Sequence, residues 1–229
     1  MLLSAITRSL QQMPTAAMLR PMLLGLVVTA LCIMLLGVTV GAAVTWLVSG
    51  LSIPFVGDIG GAADDAIGWL AGVGSVVAMA FAFTPAAALA IGFFVDPVAD
   101  AVENRYYPAI GPARGRSLTV EVGMGLRYAA LAIAVNIPLL PFYFIFPPLP
   151  AAVNGWILGR SFFDMAALRR ETPQQTRMLR KSVRGKMILG GILLAVLTLV
   201  PLLNLIAPVF GLAMMTHLYN SARIRMRVA

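Results

Sequence analysis

Four stretches of this chain carry no charged residue: Pro21 to Gly57, Ala66 to Val95, Tyr128 to Gly159 and Met187 to Ala222. A helix crosses a bilayer core with about 20 apolar residues, up to about 25 when tilted. Such runs leave little choice of solvent. The composition agrees: 60% of the 229 residues are hydrophobic and 11% charged, whereas a soluble domain has about 45–50% apolar and about 25% charged residues. A globular fold of this size cannot hide that much apolar surface, and disorder requires low hydrophobicity. The expectation is an all-α integral membrane protein forming one membrane domain, with no room for a separate soluble catalytic domain.

The first two runs are long enough for one crossing each. The first is also too long for a signal-peptide core of about 7–15 residues. The last two differ. Tyr128 to Gly159 holds Pro138, Pro141, Pro147, Pro148 and Pro150, and Met187 to Ala222 holds Pro201 and Pro208. Proline removes a backbone donor and breaks a helix. Each run therefore divides into two arms of roughly 10–15 residues, about 15–22 Å long, short of a core of about 30 Å.

Charge placement decides whether these runs cross once or enter and return. All 17 basic residues fall in four segments: the N-terminus (Arg8, Arg20), the 96–127 segment (Arg105, Arg114, Arg116, Arg127), the 160–186 segment and the C-terminus (Arg223, Arg225, Arg227). The loop 54–66 holds Asp58, Asp64 and Asp65 without a base. Basic residues stay on the cytoplasmic side, so single crossings would place the most basic segment, 160–186, on the wrong side. The layout expected is an interfacial helix at 1–20, a span at 22–53, a periplasmic loop at 54–66 and a span at 67–95. A cytoplasmic segment at 96–127 follows, then a re-entrant hairpin at 128–159, a cytoplasmic segment at 160–186, a second re-entrant hairpin at 187–222 and a cytoplasmic tail at 223–229. The fold class is thus two long transmembrane helices plus two half-penetrating hairpins and amphipathic cytoplasmic helices, with both termini cytoplasmic. Irregular backbone at membrane depth must be buried in protein or face water, so the hairpin tips are candidate pore linings. Two spans cannot enclose a polar path, which points to a homo-oligomer.

In the flanking segments, Leu2, Leu3, Ile6, Leu10 and Met13 fall near one helix face and read as an interfacial helix. Thr172-Pro173-Gln174-Gln175 reads as a helix start, with Thr172 as N-cap, Pro173 at N1 and Gln175 closing a capping box. The helix that follows puts Arg177, Arg180, Lys181 and Arg184 on one stripe. Its plain role is contact with anionic lipid headgroups; drawing an anion toward an entrance is the other.

The net charge of +8 is accounted for by these flanks, and no motif for nucleic acid accompanies it. The single cysteine, Cys32, excludes an intramolecular disulfide and a cysteine-based metal site. There is no P-loop, HExxH or GxSxG, so no enzyme activity, cofactor or ATP hydrolysis is expected. His217, the one histidine, reads as a packing residue. Polar groups at membrane depth or its boundary are the functional candidates: Asn136, Asn154 and Asn204 in the hairpins, and Asp96, Glu103, Arg105, Arg160 and Asp164 at the boundary. Asp96-Pro97 has the form of an N-cap followed by proline, with Glu103 on the same face. Arg160 and Asp164 are spaced to pair within one helix. Arg20-Pro21 places a guanidinium beside the expected start of the first span, where free N–H groups and an arginine can hold an oxyanion.

Three segments carry a resemblance. Gly92-Phe93-Phe94-Val95-Asp96-Pro97-Val98-Ala99-Asp100-Ala101-Val102-Glu103 resembles a characteristic segment of the CysZ family of sulfate permeases. Asn154-Gly155-Trp156-Ile157-Leu158-Gly159-Arg160-Ser161-Phe162-Phe163-Asp164, with Arg169 or Arg170 following, resembles a second. Pro201-Leu202-Leu203-Asn204-Leu205-Ile206-Ala207-Pro208, running on to Thr216-His217-Leu218, resembles a third. Order and spacing agree over nearly the whole chain. The resemblance implies an oligomeric bacterial inner-membrane protein that brings sulfate into the cytoplasm for cysteine biosynthesis. It implies two long spans and two pairs of half-penetrating helices. The family's sulfate-binding Gly-Leu-Arg falls on Met18-Leu19-Arg20, with methionine in place of glycine; Gly125-Leu126-Arg127 makes Arg127 the second choice. Asp96, Glu103, Arg105, Asn154, Arg160, Asp164 and Asn204 would then shape or gate the route. The rival reading is a non-transporting membrane module that organises lipid or partners, supported by the basic stripe.

Overall fold

The computed structural model describes residues 1–50, 95–113, 118–146 and 148–228, and these are helical apart from short connections. The helices are α1 (Leu2–Gln12), α2 (Ala16–Gly50), α3 (95–106), α4 (Leu118–Ile145), α5 (Pro148–Ala167), α6 (Pro173–Ser182), α7 (Arg184–Leu197) and α8 (Pro201–Val228), with a 3-10 turn at Pro108–Ile110. The expected second span at 67–95 and the acidic loop at 54–66 lie outside the described residues, save for Val95. The expected first span falls on α2, which is helical for 35 residues. No helical run of described residues is long and apolar enough to cross a membrane.

The chain divides into two compact units. The unit of residues 27–87 is described up to residue 50. It is helical there and exposes Val27, Leu31, Met34, Leu35 and Val38, which recur at helical spacing. The other unit contains residues 1–26 and 88–229 and is built around α8. From Val209 to Asn220 every residue of α8 is buried, and α1, α5, α6 and α7 all pack on it. Phe163 of α5 meets Tyr219 edge to face at 6.3 Å, among Met187, Leu194, Leu212, Met214 and Met215.

The two proline-rich runs do form helix pairs; α7 has the expected length, while α4, α5 and α8 are longer than the expected arms. α4 and α5 pack together, as do α7 and α8. Pro138 and Pro141 lie inside α4, which runs unbroken for 28 residues. Each proline removes one backbone bond, and the ladder on either side of it holds. α4 ends instead at Ile145, and Pro148 begins α5, a position where the missing N–H would be unpaired in any case. Likewise Pro208 lies within α8, and the second break is at 198–200, just before Pro201.

α5 packs most extensively on α7, and glycines make this possible. A Cβ at Gly155 would stand 2.7 Å from the backbone of Ile192, and one at Gly159 would stand 2.5 Å from the carbonyl oxygen of Met187. Gly191 faces the Gly155 carbonyl from the other side. Gly155 and Gly159, four apart on one face, form the small-residue pair that lets helix backbones meet without side chains between them.

α1 is oriented by its polar side. Ala5, Ser9 and Gln12 are buried, while Leu3 and Leu10 are exposed. Gln12 Nε2 donates to the Ala101 carbonyl at 2.8 Å and so ties α1 to α3. Of the apolar stripe read from the sequence, Leu2, Ile6 and Met13 pack against the core and only Leu3 and Leu10 are exposed. The capping box at Thr172 is present as expected: the Thr172 hydroxyl accepts from the Gln175 N–H at 3.3 Å, and Gln175 Oε1 accepts from the Thr172 N–H at 2.9 Å.

Candidate functional site

Two charged centres lie along the C-terminal half of α5 and the turn that follows it. The first joins α3 to the turn after α5. Asp96, Asp100 and Glu103 recur at helical spacing and present one face of carboxylates. Arg169 is buried against them. Its Nε donates to Asp96 at 2.5 Å, Nη1 donates to Glu103 at 3.2 Å, and Nη2 donates to Asp100. Burial pushes the Arg169 pKa down, but its hydrogen bonds to Asp96 and Asp100 and the charges of Asp100 and Glu103 outweigh that and hold it above the ordinary arginine value. Its positive charge is therefore fixed.

The neighbouring residues continue the staple. Arg170 donates to Glu103 at 2.7 Å and to the Gly111 carbonyl at 2.7 Å. Glu171 turns the other way, accepting from the Tyr219 hydroxyl at 2.9 Å and pairing with Arg223 at 2.8 Å on α8. Three consecutive residues, Arg169-Arg170-Glu171, thus fasten α3, the 110–112 loop and α8 to the end of α5.

The second centre is basic. Arg160 and Trp156 of α5, Arg177, Arg180 and Lys181 of α6, and Arg184 at the start of α7 line a cavity of about 200 Å³. The expected pairing of Arg160 with Asp164 does not form. Asp164 accepts instead from Arg180 Nη1, at 2.5 Å to each carboxylate oxygen, and from the Tyr128 hydroxyl. Partners brought in from α6 and α4 can meet the carboxylate with better geometry than a side chain one turn away on the same helix. Arg160 lies over the Trp156 ring at 5.7 Å, and its Nε is buried without a hydrogen-bond partner. The single basic stripe expected from Arg177 to Arg184 is broken at Val183, where α6 ends and α7 begins. All four of its basic residues nonetheless line this one cavity.

The structure brings together some of the residues read from the sequence and not others. Asp96 and Glu103 meet on Arg169. Asp96 lies within α3 rather than capping it, since Val95 is already helical. Arg160 and Asp164 both belong to the basic centre. Asn154 accepts from Asn136 Nδ2 at 3.2 Å, and Tyr143 donates to Asn136 at 2.5 Å, forming a separate polar bridge between α4 and α5. Arg105 is exposed, 5.5 Å from the Tyr106 ring centroid. Asn204 and Arg127 are exposed, and neither lines the basic cavity. At the N-terminal end, α2 starts at Ala16, so Arg20 and Pro21 lie inside the helix rather than at its beginning. The Met18 and Leu19 N–H groups are bonded to the Thr15 carbonyl at 2.9 and 3.0 Å; Met18 is buried, while Leu19 and Arg20 are exposed. His217 is buried, as expected of a packing residue, with Nδ1 3.1 Å from the Tyr107 hydroxyl.

Sequence reading missed Arg169 as the hub of the first centre. The pattern was available: three acids at helical spacing in 96–103, and an Arg-Arg pair directly after an apolar helix. Asp100 completes that pattern, standing between Asp96 and Glu103 on the same helix face.

Among the described residues these features define an all-helical protein of apolar helix pairs, with a buried ion-pair network just after α5 and a basic cavity beside the C-terminal half of that helix. The chain belongs to the family described as sulfate transporter CysZ/etoposide-induced protein 2.4, whose model matches residues 5–208. The family is one of transporters. A comparison with curated proteins finds no match.

Proposed function

We propose that this protein is a sulfate permease of the bacterial inner membrane that takes up sulfate for cysteine biosynthesis, channel-like or ion-coupled, without ATP hydrolysis by this chain. The observation that carries the reading is family membership over residues 5–208. The membrane placement is supported by the apolar residues that α2 exposes, from Leu23 and Leu24 through Val38, and by Ile133, Ile137, Phe142 and Ile145 on α4. Patches of this extent call for lipid or another protein against them.

In this reading the chain forms one membrane domain with both termini in the cytoplasm. Spans at 22–53 and 67–95 flank a periplasmic loop at 54–66. The α4–α5 and α7–α8 pairs supply the re-entrant hairpins of 128–159 and 187–222, and 1–20 lies at the interface. Copies of the chain assemble so that the hairpins are surrounded by protein and lipid. Met18, Leu19 and Arg20 capture sulfate, with Arg127 as second choice; the exposure of Arg20 leaves its guanidinium open to an anion. Asp96, Glu103, Arg105, Asn154, Arg160, Asp164 and Asn204 shape or gate the route. A lipid- or partner-organising module is the rival, favoured by the exposed Arg177, Lys181 and Arg184.

The test is labelled-sulfate uptake into proteoliposomes holding only this protein, beside Arg20→Ala. Saturable uptake that Arg20→Ala weakens supports the permease and its capture site. Uptake no greater than in empty liposomes, with insertion verified, moves the protein to the rival class.

A further inference from the structure

The basic cavity has a charge balance that its own residues do not satisfy. Five cations line it, and Asp164, held by Arg180, is the one carboxylate bonded to any of them among the described residues. Like charges gathered around a concavity repel one another and raise the local concentration of anions. Arg160 sharpens the point: it lines the cavity, its one ring contact is Trp156, and no carboxylate pairs with it among the described residues, so its charge is left for a ligand to meet. The volume of about 200 Å³ equals the share of roughly six or seven waters at about 30 Å³ each. That is room for a five-atom tetrahedral anion with some of its hydration.

The donors suit such an anion. Guanidinium groups present paired N–H donors that match sulfate and phosphate oxygens. Arg180 is already positioned by both oxygens of Asp164, and the Arg160 head lies over the Trp156 ring. α7 starts at Arg184 with no side-chain cap on its first turn, so its positive end adds to the field near that lining residue.

We propose that the cavity between α5, α6 and the start of α7 is a binding site for a tetrahedral oxyanion, either free sulfate or the phosphate of a lipid headgroup, with the half-buried Arg160 as the inner donor and the exposed Arg184 as the outer one. The choice of sulfate as the free anion rests on the permease reading; the site itself rests on the cavity. It is separate from Arg20 and Arg127, neither of which lines it.

The experiment measures equilibrium binding of labelled sulfate to the purified full-length protein in detergent, and in parallel the binding of short-chain phosphatidylglycerol. Wild type is compared with Arg160→Gln, Arg184→Gln and, as a control on the exposed tail, Arg225→Gln. The expected result is at least a tenfold loss of affinity in Arg160→Gln and a smaller loss in Arg184→Gln, with Arg225→Gln unchanged. If the loss is seen with sulfate, the free anion is the ligand. If sulfate does not bind but the lipid does, and Arg160→Gln weakens that, the ligand is a headgroup. No binding of either, or binding that neither Arg160→Gln nor Arg184→Gln alters, overturns the proposal. Should Arg160→Gln fail to fold, the exposed Arg184→Gln decides. Uptake assayed on the same preparations separates the two readings. Transport with no loss of binding in the variants leaves the permease and removes this site; site-dependent binding without transport does the reverse.

Discussion

Arg169 donates to Glu103 at 3.2 Å across 66 residues of sequence, and their side chains are only 1% and 3% exposed. The pair forms the inner end of a network whose outer carboxylates, Asp96 and Asp100, reach toward solvent. A buried ion pair adds little net stability, yet removing one partner leaves the others uncompensated. That asymmetry makes Arg169 the residue on which the docking of α3 depends.

Arg169→Gln should therefore lower stability by about 3–5 kcal/mol, the range for breaking a buried pair. The exposed Arg105→Gln should stay within about 0.5 kcal/mol of wild type. Thermal melting in detergent reads the difference, and equal melting temperatures for the two variants would refute the hub role.

The α5–α7 contact should reject any side chain at its glycines. Gly159→Leu forces the backbones apart, since even a Cβ would stand 2.5 Å from the Met187 carbonyl oxygen; overpacking of this kind costs about 1–3 kcal/mol or more. At Gly123 on α4 an added Cβ meets nothing within 4 Å. Gly123→Ala should be neutral or stabilise by up to about 1 kcal/mol through helix propensity. Parallel melting curves of the two variants check the contrast.

Asp164 holds Arg180 and Tyr128 at once. Asp164→Asn should lower the melting temperature more than Tyr128→Phe, because it removes the charge partner of Arg180 as well as weakening the tyrosine bond. The expected costs are about 1.5–3 kcal/mol for the charged contact and about 1 kcal/mol for the single hydroxyl. The reverse order would mean that Tyr128, not Arg180, fixes this carboxylate.

Thr172→Ala removes the cap of α6 and should cost about 1 kcal/mol. The effect should be local: hydrogen exchange should quicken in residues 174–176 and remain slow in the buried part of α8. Uniform quickening across both helices would indicate that α6 does not open on its own.

Much of the architecture was legible because it rests on short-range rules. The helix pairs follow from apolar runs interrupted near proline clusters, and the Thr172 box follows from residues three apart. The break points were only partly legible. Pro138, Pro141 and Pro208 look locally like Pro148 and Pro201, but the first three lie inside helices and the last two begin them. A proline's effect depends on whether the surrounding ladder is held by neighbours. At the basic centre, sequence spacing put Arg160 with Asp164 and placed four cations on one helix; the fold gave Asp164 to Arg180 and ended that helix at Val183.

The sequence by itself determined the helical fold and the family, because apolar periodicity and local motifs act within one segment or sum over the chain. Only the tertiary structure decided who pairs with whom: Arg169 with three acids of α3, Asp164 with Arg180, Gly159 against the Met187 backbone, and five cations around one cavity. Those pairings join helices far apart in sequence. A charge buried away from water takes the partner that packing brings within reach, which no local spacing specifies.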